Sequence, residues 1–505
     1  MKLVAAIPLA LLACAIERVD PPTPPPSATE LTDRRAAPPG RRLAPGTGVL
    51  PLEVTDDNYA IYQDGVQVFA VSLAGGPSQL IGEAPAGVTA FVYRVGRVAF
   101  VWTNPDRTLA NFGVSPLVIW SAATGPHLAT QSSAVGTLAT SATRRGDFVV
   151  FPSNSTADGA VGDLVHASTD LRHQTTLVAG AQMGFAIGPC NPLATFIGDH
   201  DDKDDDPIAV YCTTDPSTAT LSRWSHGTRR DLVAAALAPP QLAIDPDTGR
   251  ALTLAAGSRN PLLVDRQGRV TTLAAAAGRT PSFGPDGTIY YATRSAPPPA
   301  LATLLRVHGG ASQVVGDLQG IYSFSFGSRA FTTPRTSPDG RSFLVVTAVD
   351  PTTGFGNVVR LDARGDGPVT IDASLAAAQF GPPFTDRSDF ALYAHGDPTF
   401  TVFVGPMFAA DCHGARQFSD DTGWSYLAGA GNRVVYNDNT VVDPSDFFLH
   451  TTADLKLIDL ARATLEPRML APQANATFFV TQHGAAVVYA TDHDAEPGLY
   501  VVDAL

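Results

Sequence analysis

The chain has 505 residues, with 34 Lys and Arg against 48 Asp and Glu, giving a formal net charge of −14. That balance excludes the basic footprint of a nucleic-acid binder, so no nucleic-acid partner is expected. Its 45 glycines and 41 prolines point to many short apolar runs cut by turns, and away from long helices.

The N-terminus sets the compartment. Met1-Lys2 carries one positive charge, Leu3 to Ala13 is an apolar run interrupted by Pro8, and the run closes on Leu11-Leu12-Ala13-Cys14. A charged start, a short apolar stretch and small residues before a cleavage point read as a secretory signal over residues 1–13. The stretch is about half the ~20 residues that a membrane-spanning helix needs. Its last four residues resemble the bacterial lipobox. That resemblance implies that Cys14 becomes the first mature residue, carries lipid and makes the membrane a partner. Ala15 stands where aspartate favours inner-membrane retention in such lipoproteins, which implies the outer membrane, on its periplasmic or surface face.

Residues 14–47 then read as the lipidated cysteine and a tether. Pro21, Pro22, Pro24, Pro25 and Pro26 cluster with Ser and Thr, and Pro38, Pro39 and Pro45 follow. Such a segment favours extended polyproline II and cannot bury a core. It serves as a spacer or simply as a disordered tail.

From residue 48 to 505 strand signals recur almost everywhere. Phe343-Leu344-Val345-Val346, Val434-Val435-Tyr436 and Ala486-Val487-Val488-Tyr489 are examples, each bounded by Gly, Pro, Asp or Asn. The Ala-rich patches at 233–237 and 274–277 are too short to stand as helices. Internal repetition is the most informative signal. Gly75-Gly76-Pro77-Ser78-Gln79-Leu80-Ile81-Gly82 returns as Gly309-Gly310-Ala311-Ser312-Gln313-Val314-Val315-Gly316, 234 residues later, or five periods of about 47. A Pro-Asp-Gly turn between two strands is the second repeat, at Pro285-Asp286-Gly287 and Pro338-Asp339-Gly340, with a degenerate copy at Asp245–Arg250. Proline presets φ, aspartate bonds its own backbone and glycine takes positive φ.

The unit therefore reads as strand, turn, strand, loop, strand ending in "Leu-Asp" or "Val-Asp", turn, short strand. Four antiparallel strands of this kind make one propeller blade. The Ser-Pro-Asp-Gly turn, followed by an apolar strand and a Gly-Gly turn, resembles the TolB-type propeller repeat over most of residues 50–505. TolB itself carries an α/β domain before its propeller, and here that space holds a proline-rich segment, so TolB's partners do not carry over. The resemblance implies an all-β propeller of four-stranded antiparallel blades. About ten units start near residues 50, 88, 136, 183, 240, 280, 330, 377, 423 and 475, against a usual four to eight blades. The expectation is thus 7–10 blades, in one ring in preference to two. The last unit ends after three strands, and a strand near 48–54 is expected to complete it and cover its edge.

Few residues suggest chemistry. Asp199, Asp201, Asp204 and Asp206 lie in an acidic run, Asp199 to Asp206, that either binds Ca²⁺ through carboxylate oxygens or is a solvated loop. No other cofactor is expected. Asp492-His493-Asp494-Ala495-Glu496, Asp420-Asp421 and Asp411-Cys412-His413 are weaker clusters. Cys190 and Cys212 flank one predicted hairpin, and in an exported protein they are expected to form a disulfide, leaving Cys412 free or buried. No Gly-x-Ser-x-Gly elbow, phosphate loop or dinucleotide fingerprint is present. A catalytic group drawn from several blades around a channel would leave no linear motif. The sequence alone therefore favours a protein-binding scaffold in the cell envelope, with unidentified envelope proteins as partners. An enzyme or binder acting on an extracellular glycan or peptidoglycan is the alternative, marked by converging carboxylates with shifted pKa values.

Overall fold

The computed structural model describes residues 40–504 except for short gaps, the longest being 107–112, 183–193, 198–207, 237–242, 294–300, 348–355, 378–383, 396–404 and 442–450. Every regular element among the described residues is a β-strand. Eight four-stranded sheets and one seven-stranded sheet follow one another along the chain. In chain order the first strands of successive sheets are Leu50–Val54, Phe91–Val95, Ser141–Ala142, Ala194–Ile197, Ala243–Asp245, Ser282–Phe283 and Arg335–Thr336, then Tyr426–Ala428 and Phe478–Val480. The seven-stranded sheet divides at Ala376↔His395 and Ala377↔Ala394 into a four-stranded seventh unit and an eighth unit. The eighth has three strands and a single bridge, Phe384↔Ala391, in place of its first. Ten units result, most starting within about five residues of where the repeats place them; the first strand of the fourth begins at Ala194, eleven residues after the expected start near 183. A two-stranded pair, Ser325–Phe326 with Arg329–Ala330, lies between the sixth and seventh.

Each sheet but the tenth is a meander of antiparallel neighbours whose strand order is the chain order. The second and third strands are apolar on both faces because each sheet is covered on both sides by its neighbours. Val98–Trp102 is buried at every residue, and Ile61, Val149, Val434 and Val488 are fully enclosed. One apolar cluster joins Ile61, Val68 and Ala70 of the first sheet to Ala99, Val101 and Trp120 of the second. Others join the second to the third, the fourth to the fifth, the fifth to the sixth, and the eighth to the ninth. The tenth sheet packs Val488, Ala490 and Leu499 against Ala60, Tyr62 and Val71 of the first. The chain is an all-β propeller of four-stranded antiparallel blades.

The strand that completes the tenth sheet differs from the one expected. It is Arg41–Pro45, which pairs with Gly498–Asp503, whereas Leu50–Val54 opens the first sheet. This strand falls inside the stretch read as tether. It is short and ends in proline, as edge strands tolerate. Its approach is close enough that side chains at two points would collide. A Cβ on Gly40 would sit 2.3 Å from Val501 O, and one on Gly498 would sit 2.2 Å from Ala44 O. Arg42 adds bonds to Pro497 O and an ion pair of 3.5 Å to Glu496.

One turn recurs between first and second strands. A Ser or Thr stands three residues before a residue with positive φ. The pairs are Thr55 with Asn58 (φ 63), Thr143 with Gly146 (φ 78), Thr385 with Ser388 (φ 67) and Thr481 with Gly484 (φ 65). The hydroxyl accepts an amide at the start of the second strand, from Tyr59, Phe148 and Ala486, or just before it, from Phe390. Ser337 does the same for Ser342 at 2.9 Å and donates to Asp339 at 2.6 Å. The Pro-Asp-Gly turn is therefore one form of a hydroxyl-led turn, with the local side-chain bonds that favour Ser, Thr, Asp and Asn in turns.

Candidate functional site

The turns between first and second strands also touch the next sheet. Asp56 N donates to Gly96 O (3.0 Å) between the first and second sheets, and Asp339 N donates to Ser388 Oγ (3.0 Å) between the seventh and eighth. Arg387 N donates to Gly431 O (3.2 Å), while buried Thr385 donates to Asn432 Oδ1 (3.0 Å), joining the eighth and ninth. Between the ninth and tenth the approach is closer still, for a Cβ on Gly484 would lie 2.1 Å from Ala430 N.

Where the first two sheets meet, this contact gathers charge. Arg94, on the first strand of the second sheet, reaches back to the first. Its guanidinium contacts Asp56 and lies 3.7 Å from Glu53 Oε1. Glu53 also accepts its neighbour's amide, Val54 N, at 2.9 Å. Their side chains keep 31%, 22% and 23% of their surface, in the order Arg94, Glu53, Asp56. Burial pushes the Glu53 carboxyl above the usual range; the Val54 bond and Arg94 oppose this, and Asp56 adds to it. Two carboxylates against one guanidinium leave a negative excess, and Glu53 holds a proton more readily than a solvated glutamate. Such a group can lock two sheets together, receive a basic ligand, or give and take a proton.

The residues singled out from sequence are placed unevenly. Pro338 and Asp339 lie in the hydroxyl-led turn of the seventh sheet. Burial works to raise the Asp339 carboxyl, but bonds from Ser337, the Arg341 amide and Ser388 outweigh it and hold it below the usual range. Gly340 lies outside the described residues, as do Pro285, Asp286 and Gly287. The acidic run with Asp199, Asp201, Asp204 and Asp206 also falls outside them, between the paired strands Ala194–Ile197 and Ile208–Thr214. Cys14 and Cys190 lie outside as well, and of Cys212 only the backbone, within Ile208–Thr214, is described. Cys412 and His413 are likewise outside, and so are His493 and Asp494. Asp492 accepts Gly48 N at 2.7 Å, and Asp420 accepts from Gln417. Among the described residues no group of three or more His, Cys, Asp and Glu is disposed to hold a metal ion.

Sequence reasoning missed the Glu53, Asp56 and Arg94 group because its members come from two units. A signal for its frame was present: a Ser or Thr three residues before Gly, Asn or Ser at the head of an apolar run.

No protein-family model matches the chain, and no curated protein matches it. Solved structures do. A eukaryotic initiation factor matches at 14% identity and a TM-score of 0.46, over 76% of this chain and 92% of that one. Dipeptidyl peptidase 4 of Porphyromonas gingivalis matches at 10% identity and 0.44, over 90% of this chain and 66% of the peptidase, just under two thirds of its length. TolB of Acinetobacter baumannii matches at 12% identity and 0.27, over 66% of this chain and 80% of TolB. All three scores fall below 0.5, and the fold assignment stands on the sheets themselves.

Proposed function

We propose that this protein is a membrane-tethered, extracytoplasmic propeller that binds proteins of the cell envelope as a scaffold. In this reading Cys14 carries the lipid, the proline-rich segment spans to the body, and the ten sheets form a single ring. The membrane is the outer membrane. The observation that carries the reading is the way the chain ends are held: Arg41–Pro45 forms the outer edge of the tenth sheet, beside the last strand, Gly498–Asp503. A body fastened at its own ends is rigid, and a rigid repeat body presents loops without reorganising.

The faces differ. Turns between first and second strands are short, such as 55–58, 96–97 and 429–432, and they bond to a neighbouring sheet. Connections between second and third strands are longer in several sheets, at 103–113, 348–355, 396–404 and 442–451, although only residues 65–66 join them in the first. In a meander the two sets lie on opposite faces, and the longer connections are where the partner docks. Crosslinking of intact cells, affinity purification and mass spectrometry test this, with Cys14→Ser as control. A small set of envelope proteins, weakened or lost in the control, is expected. No enriched protein in either sample overturns the scaffold reading.

A second reading has its own observation. Raised Glu53 beside Asp56 and Arg94 is the converging acid group that a glycan- or peptidoglycan-acting propeller requires. Glu53→Gln and Asp56→Asn, assayed with the wild type on polysaccharide and peptidoglycan panels, decide it. Turnover by the wild type that both variants lose supports an enzyme, and no turnover by the wild type removes it.

A further inference from the structure

We propose that the ninth sheet holds one ordered water molecule in a buried polar site formed by Asn437 Oδ1, Thr440 Oγ1 and Thr451 Oγ1. All three atoms are buried and have no hydrogen-bond partner among the described residues, and Asn437 and Thr451 are fully enclosed. A chain of bonds ties Asn437 and Thr451 to one place, and strand pairing brings Thr440 beside Thr451. Asn437 Nδ2 donates to Ala476 O (2.7 Å), and Ala476 N donates to Thr451 O (2.8 Å). Thr440 and Thr451 adjoin the paired residues Val441 and Thr452, where a register shift bends the second strand.

An internal comparison explains the unpaired oxygen. The hydroxyl-led turn and its variant set the register: Thr55 N donates to Tyr59 O in the first sheet, and Gly429 N to Arg433 O in the ninth. Four residues on, the equivalent positions are Gln63 and Asn437. Both side chains turn towards the connection that enters the next sheet. Gln63 satisfies both ends of its amide there, donating to Val88 O (2.8 Å) and accepting Ala90 N (2.8 Å). Asn437 is one methylene shorter and reaches only a carbonyl. The amides that could serve it are taken, Ala476 N by Thr451 O and Thr477 N by Asn475 Oδ1.

The chemistry selects the occupant. An amide oxygen needs a donor, and two threonine hydroxyls need an acceptor for their protons. Water is both, and buried waters make about three such bonds. A cation satisfies the oxygens but leaves both hydroxyl protons without an acceptor. The nearby carboxylates are engaged, Asp438 by Lys456 and Ser419, and Asp454 by Asn439 and Gln473 N. The donor set is therefore neutral and suits no divalent ion. The water links both ends of the connection 442–450 to the entry of the tenth sheet.

Oxygen-17 relaxation dispersion on the purified full chain counts long-lived waters. The count is expected to fall by one in Asn437→Gln, whose longer side chain takes the space as Gln63 does, and by one in Thr451→Val, which removes a ligand. Melting midpoints in NaCl, KCl and choline chloride at equal ionic strength are expected to coincide. A count unchanged in whichever variant folds overturns the proposal, and so does a midpoint raised by one cation alone, which would assign a metal instead.

Discussion

Gly498→Ala tests how the body is fastened. The new Cβ would lie 2.2 Å from Ala44 O and 3.3 Å from Ala44 C. Ordinary carbon–oxygen contacts lie near 3.3 Å, so the overlap is about 1 Å. It falls on backbone, which no rotamer change relieves, so Arg41–Pro45 must move or leave. Forced overpacking costs about 1–3 kcal/mol. If the strand lifts, re-exposure of Ala44 and part of Val501, now 3% and 7% exposed, adds about 1–2 kcal/mol. Gly87→Ala is the control, since Gly87 has φ +74 and open space around its Cβ position; it costs only the left-handed backbone penalty of about 1–2 kcal/mol. Urea unfolding measures both, and hydrogen exchange of residues 41–45 reports the strand directly. Gly498→Ala no more destabilising than Gly87→Ala, with amides 41–45 protected as in the wild type, would refute the reasoning.

Thr385→Val removes a buried hydroxyl that donates to Asn432 Oδ1; urea unfolding should show a loss of about 1–3 kcal/mol, because that oxygen is left unsatisfied. Glu53 and Asp163 should give opposite pH trends. The Glu53 carboxyl is raised from 4.5 chiefly by burial, so the folded state binds its proton more tightly and stability falls as pH rises through the window above 4.5. Wild type should gain on Glu53→Gln as pH drops from 7 towards 4.5, and a gain in the other direction refutes the assignment. Asp163 is held below 3.8, first by Asn154 and then by Gly180 N. Its contribution is complete above 3.8 and fades as pH falls through the lowered value, so the wild-type advantage over Asp163→Asn should vanish on acidification. Alkylation without reductant, followed by mass spectrometry, should find Cys190 and Cys212 protected and joined; free thiols at both positions remove the disulfide.

Much of this fold can be read from sequence because each unit carries its own turns. The starts expected near 50, 280 and 423 rest on polar punctuation around apolar runs, and strands begin at Leu50, Ser282 and Tyr426. What escaped lacks that punctuation. Arg41–Pro45 has one large apolar residue, Leu43, and no β-branched one; it is a strand because Gly498–Asp503 offers an edge, which is context and not propensity. The Glu53, Asp56 and Arg94 group escaped for the same reason, since Arg94 follows its partners by about one blade. Proline and glycine drew attention to Pro338-Asp339-Gly340, although the hydroxyl of Ser337 is the part that Thr55, Thr143, Thr385 and Thr481 share.

That shared part bears on where a partner can bind. On the face of the short turns, the backbone also bonds across each sheet: Leu73 N to Asn58 O (2.9 Å), Thr169 N to Asp147 O (2.9 Å) and Leu460 N to Asn432 O (3.0 Å). Amides and carbonyls spent in this way are not offered to a ligand, and changing a turn there disturbs the neighbouring sheet. On the opposite face several sheets join their strands through longer connections, such as 103–113 and 442–451, which can vary in sequence while the paired strands hold their register. Two connections on that face also bond to the preceding sheet, Ser155 N to Ser132 O (3.0 Å) and Ala256 N to Ala235 O (3.1 Å), so both faces contribute cohesion and the proposed docking surface rests on the longest connections. The acidic run at 198–207 is the exception, a ten-residue connection on the short-turn side, between Ala194–Ile197 and Ile208–Thr214. If it holds Ca²⁺, it stiffens the one turn on that side that is too long for the hydroxyl-led form. The melting midpoint should then fall with a chelator, while partner capture through the far face persists.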